Sequence, residues 1–257
     1  MRPARKSPRH PVDISEEAGV RYLHFGSDWV QGAMRIARPW SLELEYTRDM
    51  MAGLLLRPPG QWPRRALLVG LGAGSLAKFI YRHLADCRIN VVEINPQVEF
   101  VARQYFKLPD DDRRLTVDIA CGADYLLGGT QRFDLILVDG FDPEARMGAL
   151  DTLPFYQACR ARLTDDGLCA INLLGRNRGY AKSVKRIAQA FADRALVLPC
   201  DSGNAIVFAT AGEAVDVPLA TLQARAEQLK KATRLDLRPA VNRLAAGLSL
   251  ADGHLRI

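Results

Sequence analysis

Three sets of residues in this chain could do chemistry together. The first is Leu67-Leu68-Val69-Gly70-Leu71-Gly72-Ala73-Gly74-Ser75. Glycines after an apolar strand let the backbone turn sharply and approach a ligand closely. The second is Glu93, which ends the next apolar run. It stands roughly 20 residues past the loop, where a carboxylate can accept both hydroxyls of a ribose. The third is Val138-Asp139-Gly140-Phe141-Asp142-Pro143. Asp139 ends a further apolar run, and Asp142 precedes a proline, which keeps it out of a helix. Two carboxylates over a nucleoside suit a cationic substrate or a general base. The plain structural readings are a bare strand-to-helix turn at the glycines and an Asx turn at Asp142. Glu93 speaks against the first, because strands disfavour Glu. Alanine stands at position 77 with a spacing that departs from the dinucleotide pattern, and no phosphate-loop lysine follows, which argues against phosphate transfer.

These residues need a scaffold, and the chain between 65 and 210 supplies one. Apolar strand patterns at 66–69, 89–93, 115–119, 134–139 and 168–172 alternate with helical patterns at 75–84, 96–105, 153–163 and 182–192. Two further strands, 196–198 and 205–208, have a short link and form an antiparallel edge hairpin. Such alternation predicts an α/β fold, a mainly parallel seven-stranded sheet with helices on both faces. Ligands bind such sheets outside the carboxyl ends of the strands, where strand order reverses. The strands before Gly70 and Asp139 flank that point, so Asp139 faces the reactive end of whatever the glycine loop holds.

The remaining regions are smaller. Residues 1–11 read as a disordered basic leader without the apolar run of a secretory signal. Residues 12–60 read as a small β-hairpin domain. Strands at 20–25 and 30–36 join through Gly26-Ser27-Asp28, and a helix at 42–56 follows, ended by Pro58-Pro59-Gly60. The catalytic domain spans 61–212, and a helical extension spans 213–257.

The chain has 257 residues, 48% hydrophobic and 25% charged, with a net charge of +6. That is an ordinary globular composition. No apolar run reaches the roughly 18 residues of a membrane span. The excess charge lies partly in the leader and partly in Arg225, Lys230, Lys231 and Arg234, where a solvated face suffices, and no nucleic-acid-binding motif is present. The five cysteines contain no Cys-x-x-Cys pair and suit a reducing cytoplasm. The four histidines lack ligand spacing, so no metal site is expected.

From Gly19-Val20-Arg21-Tyr22-Leu23 to Phe208 the chain resembles the polyamine aminopropyltransferases, the spermidine synthases. The resembling parts come in the family's order: Val30-Gln31, Asp49-Met50-Met51-Ala52, the glycine loop, Val92-Glu93-Ile94-Asn95, and Val138-Asp139-Gly140-Phe141-Asp142-Pro143. The resemblance implies a class I methyltransferase-like, Rossmann-like fold. It implies a nucleoside site of Gln31, Gly70, Gly72, Gly74, Glu93, Cys121 and Gly122. It makes Asp139 the base that deprotonates the acceptor amine, and places Asp142 and Thr47 at the polyamine. Decarboxylated S-adenosylmethionine would be the co-substrate, with no tightly bound cofactor, and putrescine the acceptor, giving spermidine and methylthioadenosine. A cytoplasmic homodimer or homotetramer is expected.

The chain departs from the family at several places. Ala73 replaces an acidic residue inside the glycine loop. Thr47 and Arg48 replace a Tyr and the His or Gln after it. Cys121 stands where an aspartate reads the adenine amine, and Glu144-Ala145-Arg146 replaces a Gly-Pro. An acidic neighbour attracts the ammonium tail of the decarboxylated donor and repels the carboxylate of S-adenosylmethionine, and Ala73 removes that discrimination. Arg48 would repel a diamine if it pointed inward. The alternatives are a methyltransferase using ordinary S-adenosylmethionine and a non-catalytic relative that keeps only the fold.

Overall fold

Alternation of apolar and polar residues near the N-terminus builds a small antiparallel sheet. Its strands are β1 (Asp13–Glu17), β2 (Val20–His24) and β3 (Gly32–Arg35), in the order β1-β2-β3. The sequence predicted β2 and β3 but not β1. Four of the five residues of β1 are polar, and its residues are mostly exposed. A charged edge strand discourages pairing with other chains and carries no apolar alternation to detect. The computed structural model describes residues 11–27, 29–60, 62–246 and 250–257. The predicted leader, apart from Pro11, and Asp28 of the predicted turn lie outside the described residues.

The helix predicted over 42–56 divides into α1 (Glu45–Met50) and a 3-10 turn at Met51–Leu55. Gly53 of that turn packs so close that a Cβ there would lie 2.7 Å from Leu168.

The alternating region then follows as β4 (Arg65–Val69), α2 (Ser75–His83), β5 (Arg88–Glu93), α3 (Pro96–Phe106), β6 (Leu115–Ile119), α4 (Gly122–Gly128) and β7 (Phe133–Val138). It continues with α5 (Leu153–Ala161), β8 (Leu163–Leu174), α6 (Tyr180–Ala190), β9 (Ala195–Pro199) and β10 (Asn204–Thr210). Caps explain several boundaries. Asn95 accepts from the Gln97 N–H ahead of Pro96, and Thr152 accepts from the Phe155 N–H. The helix α4 was not predicted, because seven residues are too few to show a helical period.

The seven strands lie in the order β6-β5-β4-β7-β8-β10-β9. All neighbours are parallel except β10, which runs antiparallel to both β8 and β9. Successive residues alternate between two cores. Ala66 and Leu68 of β4, with Leu135 and Leu137 of β7, join α2 and α3 on one face. Leu67 and Val69, with Ile136 and Val138, join α4, α5 and α6 on the other. The chain leaves β4 toward β5 and β7 toward β8, so strand order reverses between β4 and β7. Their last paired residues are Val69 and Val138, which sets Gly70 beside Asp139.

The C-terminal segment contains α7 (Leu219–Thr233) and α8 (Arg238–Ala246), as the sequence predicted. It also holds a small sheet of β11 (Asp216–Pro218), β12 (Leu250–Ala251) and β13 (His254–Arg256). Strands of two or three residues leave no pattern in the sequence. Arg243 of α8 pairs with the buried Asp49 of α1 and stands 3.3 Å from Asp201 in the β9–β10 turn. The C-terminal helix thereby ties together two segments that reach the cleft described next.

Candidate active site

The carboxyl ends of β4, β5 and β7, with α1 and the segment joining β2 to β3, enclose a cavity of about 730 Å³. Its floor is the glycine loop. Gly70, Gly72 and Gly74 all have positive φ, at 98°, 51° and 67°. Gly70 makes the closest approach: a Cβ there would lie 2.2 Å from the Asp139 carbonyl oxygen. Left-handed backbone and absent side chain let the ends of β4 and β7 touch. Gly70→Ala should destabilise the fold by about 2–5 kcal/mol, through backbone strain plus overpacking. Urea denaturation measures this, and an unchanged midpoint would contradict the packing described.

Glu93 turns back from the end of β5 onto this loop. One carboxylate oxygen accepts the Leu71 N–H at 2.9 Å, and the other accepts the Asn95 N–H at 2.9 Å. Burial pushes its carboxyl above the usual range, opposed by those backbone donors. The Ile94 N–H also donates to this carboxylate. A carboxylate has about four lone-pair sites, so the three donors leave an acceptor site free. Gln31 stands beside the loop, its carbonyl oxygen 3.0 Å from where a Cβ on Gly72 would lie. Half-buried Cys121 precedes α4. Gly122 packs against β4, where a Cβ would come within 2.4 Å of Val69. Gln31, Gly70, Gly72, Glu93, Cys121 and Gly122 all line the cavity. Gly74 does not: it stands behind the loop as the left-handed residue before α2.

Asp139 sits at the end of β7 with an open face to the cavity. Its Oδ1 accepts from Asn172 Nδ2 at 2.9 Å. Asn172 Oδ1 in turn accepts from Asn204 Nδ2 at 2.9 Å. The Tyr46 hydroxyl also donates to the Asp139 carboxylate. Burial raises the Asp139 pKa, and the Asn172 and Tyr46 hydrogen bonds oppose the rise. Burial and the adjacent carboxylate push the Tyr46 phenol well up, so it stays a donor.

Tyr46, Asn172 and Asn204 were not singled out from the sequence. Tyr46 follows the apolar helical period of its segment, and only packing reveals that it points at Asp139. Asn172 did carry a signal. It is the one amide in the run Leu168-Cys169-Ala170-Ile171-Asn172, at the site end of its strand. A buried amide there must have polar partners.

The remaining candidates divide. Thr47 reaches the cavity wall, but its side chain is buried and its hydroxyl donates to the Leu44 carbonyl at 2.6 Å. Arg48 is no part of the wall. Its guanidinium donates to the Leu42 and Glu43 carbonyls at 3.1 and 2.7 Å, so the conditional repulsion of a diamine does not arise. Ala73 lies under β3, packed directly on Gly32. Asp142 lines the cavity with Arg146 across it: the Arg146 N–H and Nε reach its two oxygens at 2.8 and 2.9 Å. Among the described residues there is no His, Cys, Asp and Glu cluster that could hold a metal ion, and no helix long and apolar enough to cross a membrane.

Residues 44–212 match the spermine/spermidine synthase domain. The chain belongs to the spermine/spermidine synthase family. A polyamine aminopropyltransferase of Neisseria meningitidis serogroup A is 38% identical over 253 residues, which cover 98% of this chain and 94% of that protein. The chain is also similar to proteins named for methyl transfer. The human eEF1A lysine and N-terminal methyltransferase is 38% identical over 156 residues, covering 54% of this chain and 22% of that longer protein. The structure of human methyltransferase-like protein 13 in complex with SAH superposes with a TM-score of 0.66 at 31% identity, covering 74% of this chain and 93% of that one. In this spermine/spermidine synthase family member, the glycine loop, Glu93 and Asp139 stand together around one cavity.

Proposed function

We propose that this protein transfers an aminopropyl group from decarboxylated S-adenosylmethionine to a primary amine, putrescine being the acceptor that family resemblance supplies. The observation that carries this is Asp139, set against the glycine loop and hydrogen-bonded by Tyr46 and Asn172, with no cationic partner among the described residues. Glu93, Gln31, Gly72 and Cys121 would hold the nucleoside of the donor. A neutral amine would then attack the carbon beside the sulfonium. The C–N bond forms as the C–S bond breaks, methylthioadenosine leaves, and the amine's proton passes to Asp139. A carboxylate whose pKa burial has raised is a better proton acceptor than an exposed one. Holding both reactants in line supplies much of the remaining acceleration.

Release of methylthioadenosine from the decarboxylated donor, dependent on added amine, tests this. Release of S-adenosylhomocysteine from S-adenosylmethionine in its place would establish the second reading, methyl transfer. Two observations favour that reading: Ala73 offers no charge against a donor carboxylate, and the human relatives named above are methyltransferases. A protein that releases neither product would be a non-catalytic relative.

We further propose a cytoplasmic homodimer or homotetramer. The sheet of β1, β2 and β3 is small, and Trp29, Val30 and Ile36 around it are exposed large apolar residues. Light scattering at micromolar concentration should give at least twice the 28.4 kDa chain mass. A single-chain mass counts against the assembly.

A further inference from the structure

The two donors to Asp139 reach it from different parts of the chain, and Arg243 of α8 stands where their supports meet. Tyr46 lies on α1, a helix of six residues whose N-cap, Leu44, makes no side-chain capping bond. Glu45 and Asp49 of that helix are four residues apart and share one face. Arg243 bridges them: Nη2 pairs with the Asp49 carboxylate, and Nη1 lies 3.4 Å from Glu45 Oε1. Nη1 also lies 3.3 Å from Asp201 Oδ2, in the turn between β9 and β10. Glu45 fastens the same turn, accepting the Asp201 and Ser202 N–H groups at 3.2 and 2.7 Å. That turn leads into Asn204, which donates to Asn172, the second donor to Asp139. The Asp49 and Arg243 side chains are only 5% and 19% exposed, so solvent screens their pair little. Burial raises the Asp49 pKa, and the Cys200 thiol and the guanidinium oppose the rise.

We propose that Arg243 is a positioning residue for the transfer reaction, acting through Tyr46 and Asn172 to fix the Asp139 carboxylate. This rests on the reading of Asp139 as the base. Arg243 does not itself line the cavity, so it acts through other residues. Without the guanidinium, Asp49 is a buried carboxylate that has lost its paired cation, and Glu45 and Asp49 repel each other across one helical turn. A six-residue helix without a side-chain cap has little stability of its own. Its first turn would loosen, and the Tyr46 hydroxyl would draw away from Asp139. The turn that Glu45 fastens would loosen with it, and with that turn the Asn204–Asn172 link. Both donors favour the charged form of Asp139, so weakening either raises its pKa. Of the two, only Tyr46 titrates, and burial and Asp139 push its phenol well up, so it stays neutral. The bonds made and broken in the reaction are unchanged. What Arg243 sets is the pH at which the base is ionised.

The pH dependence of kcat/KM reads the ionisation of the base. It is measured as methylthioadenosine release from decarboxylated S-adenosylmethionine and putrescine. In Arg243→Met the acid limb should move to higher pH by about one pH unit, the scale of one lost hydrogen bond to a charged group. Below the limb, kcat/KM should then fall about tenfold. Methylthioadenosine affinity by calorimetry should stay near the wild-type value, because Gln31, Gly72, Glu93 and Cys121 are not among the partners of Arg243. Arg243→Lys keeps the charge but not the fork that spans Glu45 and Asp49, so its limb should move the same way and less far. It carries the test alone if thermal melting shows that Arg243→Met does not stay folded. In a Tyr46→Phe background, whose limb has already moved, Arg243→Met should add less than it does in the wild type. A limb that stays at its wild-type pH in the folded variants overturns the proposal. So does methylthioadenosine affinity that falls in step with turnover, or a full second shift in the Tyr46→Phe background. In each of these cases aminopropyl transfer stands. No release by the wild type with any added amine overturns the aminopropyl reading and this proposal with it.

Discussion

Asp139→Asn should retain methylthioadenosine binding and lose about 10²–10⁴ in turnover with the decarboxylated donor and an amine, the range for removing a general base. Asparagine has nearly the shape of aspartate and keeps one oxygen to accept from Asn172 Nδ2. The residues proposed to hold the nucleoside, Gln31, Gly72, Glu93 and Cys121, are not hydrogen-bonded to the altered carboxylate. The substitution removes the charge that attracts the acceptor and the group that takes its proton. The pH dependence separates this from a loss of packing. Burial raises the Asp139 pKa above the usual carboxylate range. Below that pKa the group is protonated and cannot accept a proton. Wild-type kcat/KM should therefore fall as pH drops through it, at a pH above that of an ordinary aspartate. In Asp139→Asn that acid limb should be missing. A variant that turns over amines normally, or keeps the acid limb, removes Asp139 from the mechanism.

Tyr46 and Asn172 extend the same argument. Each donates to Asp139, and hydrogen bonds to the charged form lower a carboxyl pKa. They oppose the rise that burial causes and fix the carboxylate at the cavity wall. Neither was legible as a site residue, for a physical reason. Sequence patterns report the period of an element, and Tyr46 shares the helical period of Leu42, Met50 and Leu54. Whether such a residue faces a core or a cleft depends on what lies opposite, here a strand end far along the chain.

The parts that were legible are those where local chemistry fixes the outcome. Glycine suits positions 70, 72 and 74 because the backbone takes positive φ there, where the chain turns after β4. The apolar runs at 66–69, 89–93 and 134–139 are buried on both faces, as parallel strands between two helix layers must be. Position at strand ends then delivered Glu93 and Asp139. The edge strand β1, the short helix α4 and the sheet of β11, β12 and β13 escaped because they are polar or too short to carry a period. Arg48 shows the limit of aligning residues with a family. Its place in the sequence suggested an acceptor-site charge, and its guanidinium instead bonds two backbone carbonyls of the preceding turn.

Glu93→Ala should cost the nucleoside one or two charge-assisted hydrogen bonds at roughly 1.5–3 kcal/mol each, or about 10–10⁴ in Kd for methylthioadenosine. The carboxylate also holds the Leu71 and Asn95 N–H groups, so alanine frees the glycine loop as well. Glu93→Gln separates the two roles. Its side-chain oxygen can still accept one backbone N–H, while its amide nitrogen can only donate. The Gln variant should bind more tightly than the Ala variant and more weakly than wild type. Burial raises the Glu93 pKa, so the wild-type carboxylate protonates at a higher pH than an exposed glutamate. A protonated carboxyl loses charge and one acceptor site, so methylthioadenosine affinity should weaken as pH falls through that value. The Gln variant should lose this dependence. Calorimetry at several pH values measures both effects, and thermal melting shows whether the loop or the whole fold is disturbed. Equal affinity in wild type and Glu93→Ala would mean that Glu93 serves the loop alone, and that the ribose is held elsewhere in the cavity.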